Sequence, residues 1–145
     1  MRQQICGIHI IDRSPLDAFA FTPKKEWIKK AKFTRAGITR ADNEVKICKG
    51  TLILLLGDPR IMAARATRRG KIVNKKLLQQ RQELLKIVFE SDCDGVRVLD
   101  TSEMSAKEVA KEIARIIHID DYAEFDFDTR LNQIEKGKVT ANLKK

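Results

Sequence analysis

The chain has 145 residues, about the size of one domain, and a formal net charge of +9 at pH 7. Hydrophobic residues make up 43% and charged residues 34%, so the chain can bury a core and wholesale disorder is excluded. The longest aliphatic run, Leu52 to Leu56, is far shorter than the about 20 residues that cross a bilayer. Cys6, Cys48 and Cys93 are widely spaced and suit reduced thiols. The sequence therefore predicts a cytoplasmic domain with no membrane partner.

Basic residues are concentrated in two segments of the chain. The segment from Arg60 to Arg81 contains eight Lys or Arg residues and no acid, and the segment from Lys24 to Arg40 contains seven against one acid, Glu26. From Asp100 to Asp128 the balance reverses, with nine acids against three bases. Two basic segments in one domain indicate an anionic partner, either phosphate groups or nucleic acid. A solvated helix face is the alternative for each segment taken alone.

Three apolar runs predict three parallel strands, at 5–12, 51–57 and 96–100. The first two runs are apolar on both faces, which is typical of interior strands of a parallel sheet. Each run is followed by a signal for the start of a helix. In chain order these signals are Ser14-Pro15 with Asp17, Asp58-Pro59, and the capping box formed by Ser105 and Glu108.

The segments between the strands read mostly as helices. Predicted helices begin after Thr22-Pro23, at Pro59, at 75 and after Ser105, and the helix at 75–89 is long and amphipathic. Residues 33–46, which include Gly37, are predicted to form a long loop or a short irregular helix, and 124–128 a short strand. We expect an α/β class with a parallel sheet and flanking helices over 1–128, followed by a basic C-terminal tail at 129–145.

The predicted strand ends carry the first candidate site. In open parallel sheets, ligands bind beyond the carboxyl ends of the strands, which here are Asp12-Arg13, Gly57-Asp58 and Asp100-Thr101. A carboxylate at Asp12 could hold Mg²⁺ or orient a water, and the guanidinium of Arg13 could bind a phosphate bidentately. The alternative is that Asp12 only begins a turn and Arg13 is solvated.

A cluster of arginines after the second strand is the second candidate. Arg65 and Arg69 are four residues apart and share a helix face, with Arg68 beside them. Like-charged neighbours repel one another by about 0.2–0.5 kcal/mol per pair, and a bound anion removes that cost. Such a cluster suits the stabilisation of a transferring phosphoryl group. A basic, solvent-facing helix is the alternative.

The order and spacing of these pieces resemble the P-loop nucleoside and nucleotide monophosphate kinases, in particular the thymidylate kinase and deoxynucleoside kinase branch. The likeness covers roughly residues 5 to 118. The matching motifs are Asp12-Arg13, then Leu56-Gly57-Asp58-Pro59 to Arg65 and Arg69, then Leu99-Asp100-Thr101-Ser102. The resemblance implies an incomplete P-loop NTPase fold that transfers a phosphoryl group from ATP, with Mg²⁺, to a nucleoside or nucleoside monophosphate.

The resemblance also implies roles for single residues. Asp12 would lie near Mg²⁺ or the acceptor, and Arg13 would hold the acceptor's phosphate or 5′ end. Asp17 and Phe21 would face the acceptor nucleoside. The lid arginines, Arg65 and Arg69, would contact the donor phosphates and converge with Arg13 on a shared anion position. Thr101 and Ser102 would lie beside the adenine of ATP.

The sequence departs from the family at its phosphate-binding loop. The G-x-x-x-x-G-K-[ST] motif belongs before residue 5, where the sequence has only MRQQ. We therefore expect the C-terminal two-thirds of a kinase domain, either a fragment or a degenerate copy, which is inactive alone. We also expect this chain to be only marginally stable or to self-associate through exposed sheet edges.

Two other functions remain as alternatives. The first is a non-catalytic nucleotide-binding or interaction module that kept the fold after losing the loop. The second is a nucleic-acid-binding protein that uses the two basic segments. The sequence disfavours the second, because stacking platforms need aromatic residues among the basic ones and only Trp27 and Phe33 lie within a basic stretch.

Overall fold

The computed structural model describes residues 10, 12–41, 49–90, 95–118 and 124–139, with backbone only at 38–41. Within this part, two short 3₁₀ helices precede a series of α-helices and strands. The 3₁₀ helices are Asp17–Phe21 and Lys24–Glu26. The remaining elements are α1 (Trp27–Ala41), β1 (Leu52–Leu56), α2 (Pro59–Arg68), α3 (Lys75–Phe89), β2 (Val96–Asp100), α4 (Ala106–Ile117) and α5 (Phe127–Glu135).

The two strands form a parallel pair, with Leu52 opposite Val96 and Leu56 opposite Asp100. The predicted parallel pairing of 51–57 with 96–100 is confirmed, and the described chain is α/β with helices flanking the sheet. The predicted strand at 5–12 lies outside the described residues except for its exposed positions 10 and 12. Burial of both faces of β1 was a wrong expectation, because Leu54 and Leu56 are buried while Leu55 is 46% exposed.

The helices pack in two groups around one core. Helix α3 contacts α2 and the first 3₁₀ helix, while α1 contacts α5. Aromatic rings join these groups to the sheet region, since Phe89 packs edge-on against Phe125 at 5.9 Å between ring centroids. The indole N–H of Trp27, 3% exposed, donates to the carbonyl oxygens of Phe19 and Thr22 at 3.0 and 2.9 Å, so its one polar atom is satisfied.

Local signals account for most of the helix starts. The Asp58 carboxylate accepts from the Arg60 backbone N–H at 2.7 Å, and Ser105 and Glu108 form both hydrogen bonds of the predicted capping box. The helix predicted at 75–89 is confirmed. The signal at Ser14 instead begins a 3₁₀ turn, because its hydroxyl accepts from the N–H of Leu16, only two residues away.

Two predicted segments adopt other structures. Helix α1 continues without a break through 33–41, where a long loop or a short irregular helix was predicted, and 42–46 lie outside the described residues. The predicted strand at 124–128 makes one antiparallel bridge, between Gly50 and Phe125, before α5 begins. The extension of α1 is held from outside, since Arg35 donates to Glu135 and Asp128 of α5 at 2.9 and 3.1 Å. Long-range packing outweighs the weak helix propensity of this stretch.

The predicted division at 128/129 falls inside α5. Leu131 and Ile134 of this helix are buried, and Val139 beyond it belongs to the same core cluster. Residues 129–139 are therefore packed with the rest of the described chain. Among the described residues, no helix combines the length and apolarity that crossing a membrane requires.

Candidate functional site at the strand ends

Hydrogen bonds tie the carboxyl ends of the two strands together. The backbone N–H and the hydroxyl of Thr101 both donate to the carbonyl oxygen of Leu56, at 2.8 and 3.0 Å. The Ser102 hydroxyl accepts from the backbone N–H of Asp58 at 2.7 Å and donates to the Asp100 carboxylate. Thr101 is therefore held by the last residue of β1, and the loops that follow the two strands are joined by the bond between Asp58 and Ser102.

Helix α3 supports this edge through Gln82. Its side-chain amide pairs with the backbone of Gly57 in both directions, accepting from N–H at 3.0 Å and donating to C=O at 2.8 Å. Gly57 is tightly enclosed, because an added Cβ would lie 3.1 Å from the sulfur of Met62 and 3.4 Å from the Thr101 hydroxyl. The strand-end cluster, as we call it, comprises Gly57, Asp58, Arg65, Gln82, Asp100, Thr101 and Ser102.

Arg65 holds the loop that follows β2. Its Nη2 group donates to the carbonyl oxygens of Thr101, Ser102 and Met104 at 2.9, 3.1 and 3.0 Å. One guanidinium on α2 therefore binds three carbonyl groups of the loop 101–104. This loop is the segment in which the resemblance places the adenine contacts.

Both carboxylates of the cluster are stabilised in their charged form. Hydrogen bonds from the Arg60 side chain and backbone lower the pKa of Asp58 to about 2. Hydrogen bonds from the Ser102 side chain and backbone lower the pKa of Asp100, against the neighbouring charge of Asp58. At neutral pH both groups carry a negative charge and accept hydrogen bonds.

A wide, open cleft of about 520 Å³ lies beside the cluster. Its walls are Gly57 to Arg60 on one side and the first three turns of α3 on the other. Of its charged side chains, Arg60 pairs with Asp58 at 2.8 Å and Lys86 with Glu83 at 3.0 Å. Lys75 and Lys76 have no ion pair with any described residue, so this strand-end cleft carries a surplus of positive charge.

The residues predicted after the first strand form a second group. Asp12 and Arg13 are exposed, and Arg13 has a φ of +75°, a left-handed conformation that is uncommon for a bulky residue. Asp17 is partly buried beside them, and burial raises the pKa of its carboxyl despite the opposing effects of Ser14 and Arg13. The structure therefore places Asp12, Arg13 and Asp17 near one another.

Phe21 lies exposed at the end of the first 3₁₀ helix, and the guanidinium of Arg81 is 4.6 Å from the centroid of its ring. Arg69 is exposed just beyond α2. No hydrogen bond or ion pair between described residues joins the group around Arg13 to Arg65 or Arg69. Arg65 instead faces the loop after β2, as described above.

The described residues contain no cluster of three or more His, Cys, Asp or Glu side chains that could hold a metal ion. Mg²⁺ in phosphate-transferring sites needs only one or two carboxylates, because substrate phosphates and water complete its shell. The exposed carboxylate of Asp12 fits such a site, whereas Asp58 and Asp100 already accept hydrogen bonds from Arg60 and Ser102.

Three residues at this edge of the sheet, Lys75, Lys76 and Gln82, were not among the site residues predicted from the sequence. Lys75 and Lys76 belong to the acid-free basic segment, so charge patterning was a usable signal for them. Gln82 has no comparable signal, because its partner Gly57 is 25 residues away along the chain. Comparisons of the chain with protein-family models, curated proteins and solved structures gave no match.

Proposed function

We propose that the chain binds a nucleotide through its phosphates in the strand-end cleft, as part of a domain that transfers a phosphoryl group from ATP to a nucleoside or nucleoside monophosphate. The observation that carries this proposal is a cationic cleft at the carboxyl end of a parallel strand. Ligands of open α/β sheets bind at this edge. Lys75 and Lys76 have no carboxylate partner among the described residues, and a phosphate would supply one.

The donor side of the proposed site combines the loop after β2 with α2. In this proposal the base of ATP lies beside Thr101 and Ser102, while Arg69 reaches the phosphates from the end of α2. Arg65 acts as a positioning residue, because its guanidinium holds the carbonyl groups of that loop. The rigid loop would reduce the ordering cost of binding a flat base.

The acceptor side of the proposed site is the group around Arg13. Arg13 would bind the acceptor's phosphate or 5′ end, and Asp17 would face its nucleoside. Phe21 and Arg81 would stack against the base, and the cation–π contact between the exposed Phe21 and the partly buried Arg81 supports this arrangement. Asp12 would hold Mg²⁺, which would neutralise phosphate charge during transfer.

A non-catalytic nucleotide-binding module is the second candidate function. The observation that favours it is that three side chains assigned to the site already make hydrogen bonds to other residues of the protein. Thr101, Ser102 and Arg65 all make hydrogen bonds within the strand-end cluster. Such bonds keep a binding loop in place without requiring chemistry there. Because the chain alone is expected to be inactive, the measurement that separates the two candidates is phosphoryl transfer to a nucleoside or monophosphate after a G-x-x-x-x-G-K-[ST] segment has been restored before residue 5.

Replacing both cleft lysines, Lys75→Gln with Lys76→Gln, should weaken binding of Mg-ATP by about tenfold or more, because hydrogen bonds to charged groups contribute about 1.5–3 kcal/mol each. Isothermal titration calorimetry at fixed ionic strength measures this. The control is the double variant Lys136→Gln, Lys138→Gln, beyond α5, which loses the same amount of positive charge. It should bind Mg-ATP as tightly as the parent does. Equal affinity in the two double variants, or no saturable binding by the parent, would contradict the proposal.

Replacing Arg65 with alanine should lower the free energy of unfolding by about 1–3 kcal/mol and also weaken nucleotide binding. The physical reason is that three carbonyl groups of the loop lose their shared donor. Arg68→Ala removes an exposed guanidinium from the same helix and should change the stability by no more than about 0.5 kcal/mol. Chemical denaturation compares the two, and matching midpoints would show that Arg65 does not hold the loop.

A further inference from the structure

The outward side of α1 carries lysines around an exposed aromatic ring. Lys25, Lys29, Lys32 and Phe33 recur at three- and four-residue spacing, so they lie along one side of the helical segment that begins at Lys24. The opposite side, with Trp27 and Ala31, is buried. We call these four residues the lysine–phenylalanine face.

Phe33 occupies an unusual environment for its type. Its side chain is 72% exposed, and the ammonium group of Lys30 lies 5.9 Å from its ring centroid. Trp27 and Phe33 are the two aromatic residues within the basic stretches, and they lie in different environments. Trp27 is buried in the core, whereas the ring of Phe33 is exposed to solvent beside lysine side chains.

The positive charge of this face is not neutralised by the described residues. Lys25, Lys29 and Lys32 have no ion pair within the described ranges, and Glu26 is the single acid between residues 24 and 40. Asp128 and Glu135 of α5 both form ion pairs with Arg35 of α1, and neither pairs with these lysines. The face therefore complements a partner with regularly spaced negative charges.

We propose that the lysine–phenylalanine face binds single-stranded nucleic acid, with the lysines on successive phosphates and Phe33 stacked against an unpaired base. Exposed aromatic rings among basic side chains provide this kind of binding with little dependence on sequence. The lysine–phenylalanine face shares no residue with the strand-end cleft. This proposal therefore adds a macromolecular partner to the nucleotide proposed for the cleft. An anionic membrane fits less well, because interfacial helices insert a broad apolar face, and the apolar side of α1 is already packed in the core.

Fluorescence anisotropy of the full chain with a fluorescein-labelled oligothymidylate, titrated over a range of salt concentrations, tests this proposal. We expect log affinity to fall with log salt at about 0.7 per neutralised phosphate, or a slope near −2 for three lysines. The triple variant Lys25→Gln, Lys29→Gln, Lys32→Gln should bind at least tenfold more weakly and flatten that slope by about 2. Lys107→Gln with Lys111→Gln, on the exposed side of α4, should leave the slope unchanged.

The variant Phe33→Leu separates stacking from general charge attraction. Leucine is apolar and favours helices but has no aromatic ring. This variant should bind the oligonucleotide about fivefold more weakly or worse, with an unchanged dependence of log affinity on log salt. Because Phe33 is exposed, the variant should unfold at the same temperature as the parent. That measurement checks that the variant folds. Parent-like affinity in Phe33→Leu, equal binding of duplex and single strand, or binding of phosphatidylserine vesicles but not of the oligonucleotide would each overturn the proposal.

Discussion

Replacing Arg130 with methionine should lower the free energy of unfolding by about 2–4 kcal/mol, because the buried carbonyl group of Val88 would lose its side-chain donor and that of Ile87 would keep only the Glu90 N–H. Arg130 is 7% exposed, and its Nε donates to the Val88 carbonyl oxygen at 2.6 Å while Nη2 donates to that of Ile87. These carbonyls belong to the last turn of α3, where intrahelical donors end. One side chain of α5 thereby completes the end of α3.

Urea denaturation followed by Trp27 fluorescence and by circular dichroism measures this loss. Arg130→Lys keeps the charge but not the planar fork, so its stability should fall between those of the parent and Arg130→Met. Arg115→Met is the matched control, since the exposed Arg115 pairs only with Glu112 of its own helix among described residues, and its midpoint should stay unchanged. Equal midpoints for Arg130→Met and Arg115→Met would rule out a capping role for Arg130.

Replacing Gly95 with alanine should cost about 1–3 kcal/mol of stability, the range expected when a close-packed site is overfilled. An added Cβ there would lie 2.7 Å from the backbone nitrogen of Phe125 and 2.9 Å from the carbonyl carbon of Glu124. Backbone atoms cannot move aside as a flexible side chain does. The segment would have to shift, disturbing the contact of Phe125 with Phe89 and its bridge to Gly50.

Gly50→Ala is the control for this substitution. Gly50 lies in the same bridge, but an added Cβ would meet no atom within 4 Å. Its unfolding free energy should therefore stay equal to the parent's or rise slightly, as alanine reduces the entropy of the unfolded chain. Thermal and urea unfolding of both variants gives the comparison, and a Gly95→Ala protein as stable as Gly50→Ala would disprove the close approach of 95 and 125.

Several elements follow from signals within a few residues of chain. The capping box of Ser105 and Glu108, the cap at Asp58 before Pro59 and the amphipathic pattern of 75–89 predicted three helices that the structure contains. In each case the donors, acceptors and apolar positions lie within the element itself. Local hydrogen bonds and a 3.6-residue period are sufficient to define such helices.

The segments whose structure differs from the prediction depend on distant partners. Residues 33–41 are helical although Gly37 and β-branched residues lower their propensity, because α5 supplies Asp128 and Glu135 to Arg35. Residues 124–128 alternate like a strand, yet only Phe125 finds a bridging partner, and Asp126 caps α5 by accepting from Thr129 at 3.0 Å. An alternating pattern predicts a strand only where a neighbouring strand is present to pair with it.

The candidate site divides in the same way. The sequence by itself determined that small polar residues follow both strands and that basic residues cluster after the first of them, since composition and spacing carry that information. Only the tertiary structure decided how they are used: Arg65 binds loop carbonyls, Gln82 holds Gly57, and Lys75 and Lys76 face the cleft. The physical reason is that hydrogen bonds and charge balance depend on distances through space. Residues separated by 25 to 39 positions along the chain meet only after the sheet and helices have packed.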